Sequence, residues 1–254
     1  MKKLLFFITF SFALSYILVK DVPLLADEII YYPIIETVTS LSFTPTILSI
    51  TSSLPGYVIS IGLIKYLFNL SSVSETRFIT TLLSLMTVYI VFLTMKEISP
   101  INFRVKILQF VFLPILFVFF FLIYTDAYSL LFISLSFLLT LKKRFMLAGI
   151  AGFLSLLIRQ NNLIWLTLLC CYIFSERNTL NTINLKSLID YLKEIHFFLF
   201  SFVLSLIFII INKGIVISET NKLAQPLSIH FDNIYFLLFL FFFLFFSLNF
   251  DNLS

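Results

Sequence analysis

The chain has 254 residues, of which 60% are hydrophobic and only 12% charged. Soluble domains carry about 25% charged residues, so a mean hydropathy of +1.08 excludes a soluble protein and implies one all-α integral membrane domain spanning 1–254. The net charge of +4 calls for no nucleic-acid partner, because membrane proteins concentrate Lys and Arg in cytoplasmic loops.

In chain order, Met1-Lys2-Lys3 precedes an apolar Leu4–Val19 with no small-x-small cleavage site behind it, so an uncleaved signal anchor is expected. Further spans are expected over 77–95, 105–123, 127–141, 145–158, 163–175, 196–212 and 233–249, about eight in all. The loop 20–76 contains "LPGYVISIGLIKYLF" (54–68), apolar but interrupted by Lys65, which reads as a helix lying at the membrane interface. The adjacent Cys170 and Cys171 point about 100° apart on a helix and read as packing rather than a disulfide or metal site. No Ser/His/Asp order, phosphate-binding Gly loop or metal-ligand cluster is present, so neither cofactor nor metal is expected.

Charge sets the orientation. With Lys2 and Lys3 cytoplasmic, Lys96, Arg104, Lys106, Lys142, Lys143, Arg144, Arg177, Lys186 and Lys193 are cytoplasmic too, 11 of the 17 basic residues, while eight of the 13 carboxylates lie outside. That is the positive-inside pattern. It also bears on "SLLIRQNNLIW" (155–165), where Arg159, Gln160, Asn161 and Asn162 interrupt a long apolar run. One continuous helix would strand either Lys142–Arg144 or Arg177 on the wrong side; a hairpin turning at Arg159–Asn162 keeps both inside. Its arms fall short of the roughly 20 residues of a full crossing. The polar turn is therefore held below the surface, where irregular backbone is tolerated only beside a cavity or inside protein.

The other oddly placed polar groups fall on the same side. Asp27 and Glu28 follow the first span, Arg77 opens the next, Asp126 sits in the turn "YTDAY", and Lys222 and His230 lie in "ETNKLAQPLSIHFDN" before the last span. Taken singly each has an ordinary structural reading: Asp126 as a helix cap, Arg159 as a snorkelling or paired residue, Trp165 as an interfacial anchor. Taken together they describe an acid- and base-lined pocket at one membrane boundary. Such a set suits group transfer from an anionic lipid donor. A carboxylate such as Asp27 can accept a proton from an attacking sugar hydroxyl. Arg159 and Lys222 can stabilise the charge on a departing phosphate, and the "RQNN" amides suit sugar hydroxyls.

These residues also carry a resemblance. "DEIIYYP", "LPGYVISIG", "YTDAYSLLF", "NKLAQPLSIHF" and above all "RQNNLIW" resemble, in the same order, motifs of the dolichyl-phosphate-glucose-dependent α-1,2-glucosyltransferases of the endoplasmic reticulum, which have the GT-C fold. The resemblance implies a multi-pass enzyme of that membrane that adds the terminal glucose to the lipid-linked oligosaccharide for protein N-glycosylation. Its donor would be dolichyl-phosphate-glucose and its acceptor the dolichyl-diphosphate-linked oligosaccharide, met on the lumenal side. A β-linked donor and an α-linked product imply a single inverting displacement. Carried onto this chain, Asp27 and Glu28 would be catalytic, Arg159, Lys222 and His230 would bind the donor phosphate, and Asp126, Gln160, Asn162 and Arg77 would bind substrate.

The chain also departs from the family's pattern. "FTPT" (Phe43–Thr46) replaces a Trp-Asp-Pro-Lys, Leu54 stands where the turn has its first Pro, and Asn221 and Gln225 replace an Asp and a His. The family is longer, with further spans after the His-Phe segment. The alternatives are a GT-C transferase using another lipid-phosphate sugar such as mannose, a truncated inactive relative, and a non-catalytic membrane scaffold. A transporter would place polar groups near the midplane, whereas here they gather at one boundary. The sequon Asn69-Leu70-Ser71 offers a probe of sidedness.

Overall fold

The computed structural model describes residues 2–42, 44, 51, 53–177 and 185–214. Among these residues the protein is all-helical: α1 (Lys2–Val19), α2 (Glu28–Thr39), α3 (Gly56–Phe68), α4 (Val73–Ile98), α5 (Phe103–Val111), α6 (Pro114–Phe119), α7 (Thr125–Leu141), α8 (Phe145–Ile158), α9 (Leu163–Arg177), α10 (Leu185–Glu194) and α11 (His196–Asn212). The helices α1 and α4 are long and apolar enough to cross a bilayer. α3, α7 and α8 are apolar but shorter, and α10 and α11 meet at a 72° bend.

Local chemistry explains several boundaries. A capping box starts α4: the Glu75 N–H donates to Ser72 Oγ at 3.2 Å and the Ser72 N–H returns a bond to Glu75 Oε2 at 2.8 Å. The run 105–123, expected as one span, breaks between α5 and α6. Pro114 has no N–H and its ring opposes the carbonyl four residues back, so Leu113 is driven extended (φ −62°, ψ 115°) and α6 restarts behind it. α2 was expected to be loop, yet it forms a full helix after Asp27 with Pro33 inside it.

The hairpin is present. A 3-10 turn, Gln160–Asn162, separates α8 from α9, and the arms fold back on each other: a Cβ on Gly152 would lie 2.5 Å from the Leu166 side chain, fourteen positions on. In a continuous helix those positions would be about 20 Å apart. Small residues make the approach possible. A Cβ on Gly149 would meet Phe197 of α11 at 2.5 Å, and the neighbouring Ala148 and Ala151 are buried. α8 packs against α7 and α11, α7 against α4, and α4 against α1 and α5.

The α2–α3 pair closes one end of this row. α3 approaches α8 so closely that a Cβ on Gly56 would lie 2.4 Å from the Leu157 carbonyl oxygen. Lys65, the charge behind the expected interfacial placement of α3, is fully buried, ion-paired with Glu36 and 4.8 Å beneath the Tyr32 ring. The expected span 233–249 and the residues Lys222 and His230 lie outside the described residues.

Candidate functional site

Three of the sequence-predicted segments meet where α1 ends and α2, α4 and α7 begin. The centre is Glu28, fully buried, whose carboxylate accepts from Arg77 Nε (3.0 Å), Arg77 Nη2 (2.5 Å), the Leu25 N–H (3.0 Å) and the Ile123 N–H (2.9 Å). Arg77, equally buried, spends its remaining donors on the carbonyls of Val19 (2.9 Å), Val22 (2.5 Å) and Pro23 (3.1 Å). Both groups are thus saturated by protein. Predicted as a catalytic and a substrate-binding residue, they instead form a lock that binds the end of α1 to α2, α4 and the turn before α7. Neither offers an atom to a ligand in this arrangement.

Beside the lock, Asp27 is exposed. It occupies the N-cap position of α2 but makes no capping bond, and among the described residues its carboxylate has no hydrogen-bond partner. Its backbone is nevertheless fixed, because the Asp27 N–H donates to Tyr124 Oη at 3.1 Å. Burial first raises the Tyr124 phenol above its ordinary pKa; the bond from Asp27 opposes this, and the nearby carboxylates of Asp27, Glu28 and Asp126 add to the rise. The phenol therefore stays neutral, and it ties the start of α2 to the start of α7, two residues before Asp126.

Asp126 forms an ion pair with Arg159, each side chain being about one-third exposed (37% and 36%). The pair heads a groove of about 620 Å³ that runs between α7 and α9. Ser129, Ile133 and Phe137 line one wall, and Trp165, Leu168 and Tyr172 line the other. The turn that presents Arg159 is held from inside: Asn162, buried, uses both amide hydrogens, on Ser129 Oγ (2.7 Å) and the Ser155 carbonyl (2.9 Å). Asn162 therefore lines the groove with its amide hydrogens already committed to protein. Gln160 and Asn161 line a second cavity of about 280 Å³, walled by α8, α9 and α11.

Sequence reasoning missed Tyr124, Ser129 and the role of Trp165 as a groove wall. The signal was available in the helical period: Asp126, Ser129, Ile133 and Phe137 follow i, i+3, i+7, i+11 on α7, and Trp165, Leu168 and Tyr172 repeat it on α9. The arrangement presents a partly exposed Arg159–Asp126 pair, an apolar trough and, at the start of α2, a carboxylate without a hydrogen-bond partner.

The sequence model of the DIE2/ALG10 family matches residues 27–253. A Homo sapiens Dol-P-Glc:Glc(2)Man(9)GlcNAc(2)-PP-Dol alpha-1,2-glucosyltransferase is 32% identical over 130 residues, covering 45% of this chain and 28% of the human protein. The Rattus norvegicus protein of the same name is 28% identical over 142 residues, covering 50% of this chain and 30% of its own. The matched stretch thus spans less than a third of the length of these relatives. No solved structure matches the chain.

Proposed function

The chain belongs to the DIE2/ALG10 family, and we propose that it transfers glucose from dolichyl-phosphate-glucose to the dolichyl-diphosphate-linked oligosaccharide, forming the terminal α-1,2 linkage by one inverting displacement. The reading places it as a multi-pass protein of the endoplasmic reticulum membrane, with a cytoplasmic N-terminus, about eight spans and a lumenal site. The observation that carries the proposal is the groove headed by Asp126 and Arg159. A partly exposed guanidinium above an apolar trough suits a ligand with an anionic head and a hydrocarbon tail. The name of the relatives supplies the sugar, the linkage and the lipid.

In this mechanism Asp27 takes the proton from the acceptor's 2-hydroxyl as that oxygen attacks C1 of the glucosyl group from the face opposite the phosphate. The new C1–O bond forms as the C1–O–phosphate bond breaks. Dolichyl phosphate leaves with the electron pair, its developing charge held by Arg159 released from Asp126. Asp126, Gln160 and Asn161 are offered to sugar hydroxyls. Glu28 and Arg77 act at one remove by fixing the backbone on which Asp27 stands, and Asn162 does the same for Arg159. Lys222 and His230 are proposed as further phosphate contacts.

The test is transfer in membranes from cells that lack their own terminal glucosyltransferase, read as the size of the lipid-linked oligosaccharide. One added glucose, lost in Asp27→Asn and Arg159→Ala, is the expected result. Undiminished transfer in both variants would overturn the residue assignments. A well-inserted protein that adds no glucose would overturn the activity, and addition of mannose from its lipid phosphate would point to the other transferase class.

A further inference from the structure

Among the described residues, α10 is unlike every other helix. Its sequence, "LKSLIDYLKE", has four charged residues in ten, and it lies at 72° to the apolar α11 that follows. Leu185, Leu188, Ile189 and Leu192 recur at i, i+3, i+4 and i+7, an apolar stripe roughly 100° wide. All four are between 39% and 75% exposed. Lys186, Asp190 and Lys193 lie beside the stripe, where Lys193 pairs with Asp190 at 3.5 Å. Four charges cannot enter hydrocarbon as the first half of a broken span, and a solvated helix has no physical reason to gather its leucines on one uncovered face.

The position of α10 is firmly set. Tyr191 donates to the Cys170 carbonyl at 3.0 Å and stacks edge-on against Phe174, both on α9. At the bend, His196 Nδ1–H donates to the Lys193 carbonyl at 2.6 Å. Ile195 and Phe198 on either side are buried in the core shared with Leu166, Leu169 and Ile173. One face of α10 is therefore held by protein, while its leucine stripe is uncovered; α11 likewise exposes Leu199, Phe200 and Val203. The level is that of the start of α8, since Gly149 touches Phe197, and α8 itself starts behind Lys142, Lys143 and Arg144.

We propose that α10 lies flat in the membrane boundary on the side of Lys142–Arg144, its Leu185–Leu188–Ile189–Leu192 stripe inserted between headgroups and acyl chains and its charged face in water. A helix bent 72° away from a span lies close to the plane of the bilayer, where an uncovered apolar stripe meets lipid. Lys186 and Lys193 flank the stripe, where their stems can reach along it to the phosphates. Anchored there, α10 fixes the height of α9 and α8. The polar turn at Arg159–Asn162 then lies about 20 Å away, the length of α8, which is inside a hydrocarbon core of about 30 Å. The inference rests on α11 crossing the membrane with α8 embedded beside it, and is independent of any transfer activity.

The test places spin labels on the full chain in phosphatidylcholine–phosphatidylserine liposomes. Single cysteines are introduced as Leu185→Cys, Lys186→Cys, Leu188→Cys, Asp190→Cys and Leu192→Cys, with Cys170→Ala and Cys171→Ser removing the native thiols. Collision with oxygen, which concentrates in lipid, is compared with collision with a water-soluble nickel chelate. The expected result is oxygen-dominated relaxation at 185, 188 and 192 and nickel-dominated relaxation at 186 and 190, a ratio that alternates with the helical period. Nickel access at all five sites would overturn the proposal in favour of a water-facing surface. Nickel protection at all five would make α10 part of a span, and protection from both probes at the leucines would show a protein cover; either result also overturns it.

Discussion

Among the described residues, two arginine–carboxylate pairs join distant parts of the sequence, and their surroundings make them opposites. Arg77 and Glu28 are both 0% exposed, and every nitrogen and oxygen of the pair is bonded to protein. Arg159 and Asp126 are each more than one-third exposed and look into a groove. Separating the first pair strands a charge in a dry interior. Separating the second exposes two groups that water or an incoming phosphate can re-solvate. The same chemical contact is therefore a lock in one place and an exchangeable seat in the other, and burial decides between them.

The largest effect expected from this contrast is on the lock. Arg77→Met leaves the Glu28 carboxylate buried without its counter-charge and costs about 3–5 kcal/mol, read as a collapse of the melting temperature in detergent. A wild-type melting temperature would break the distinction. Asp27→Asn, beside the lock but without a partner of its own, should leave melting unchanged and lower glucosyl transfer by about 10²–10⁴. Arg159→Ala should lower transfer by about 10²–10³ while changing stability by no more than about 1 kcal/mol. Loss of fold in that variant would make the second pair a lock as well.

Smaller effects sharpen the picture. Asn162→Leu removes the bonds to Ser129 and Ser155 that shape the groove, and should cost about 1–3 kcal/mol with a raised KM for the lipid donor. Ser72→Ala should give the smallest shift of all. Hydrogen bonds from Ser72, first from its backbone and then from its side chain, hold Glu75 below its usual carboxylate pKa in the first turn of α4, ahead of the expected span. A depressed carboxylate contributes fully at neutral pH and loses its contribution as pH falls through its folded value. The gap between wild type and Ser72→Ala in thermal melts should therefore narrow on acidification, and a gap that widens would contradict the capping box.

Much of the fold was legible because hydropathy marks spans directly. The bounds 145–158 and 196–212 are those of α8 and α11, and the charge argument found the hairpin at Arg159–Asn162. What failed has physical reasons. Pro114 was outvoted by the apolar residues around it, although its missing N–H breaks the helix. α2 was missed because it is shorter than a span and carries Pro33 inside it, although Asp27 stands at its N-cap. At the site, the juxtaposition of Asp27, Asp126 and Arg159 follows from turns that face one way. Burial does not follow from that reasoning: nothing in the order of residues says that Glu28 faces inward and Asp27 outward, or that Lys65 finds Glu36. Those outcomes depend on side-chain direction at helix starts, which a single residue of register reverses.

The central claim is that the groove headed by Arg159 seats a lipid phosphate. It is tested most directly by titrating dolichyl phosphate into the purified full chain, wild type and Arg159→Ala, with melting temperatures recorded alongside. Saturable binding to the wild type that is lost in Arg159→Ala at an unchanged melting temperature is the predicted result. Equal binding to both would contradict the account and move the phosphate elsewhere.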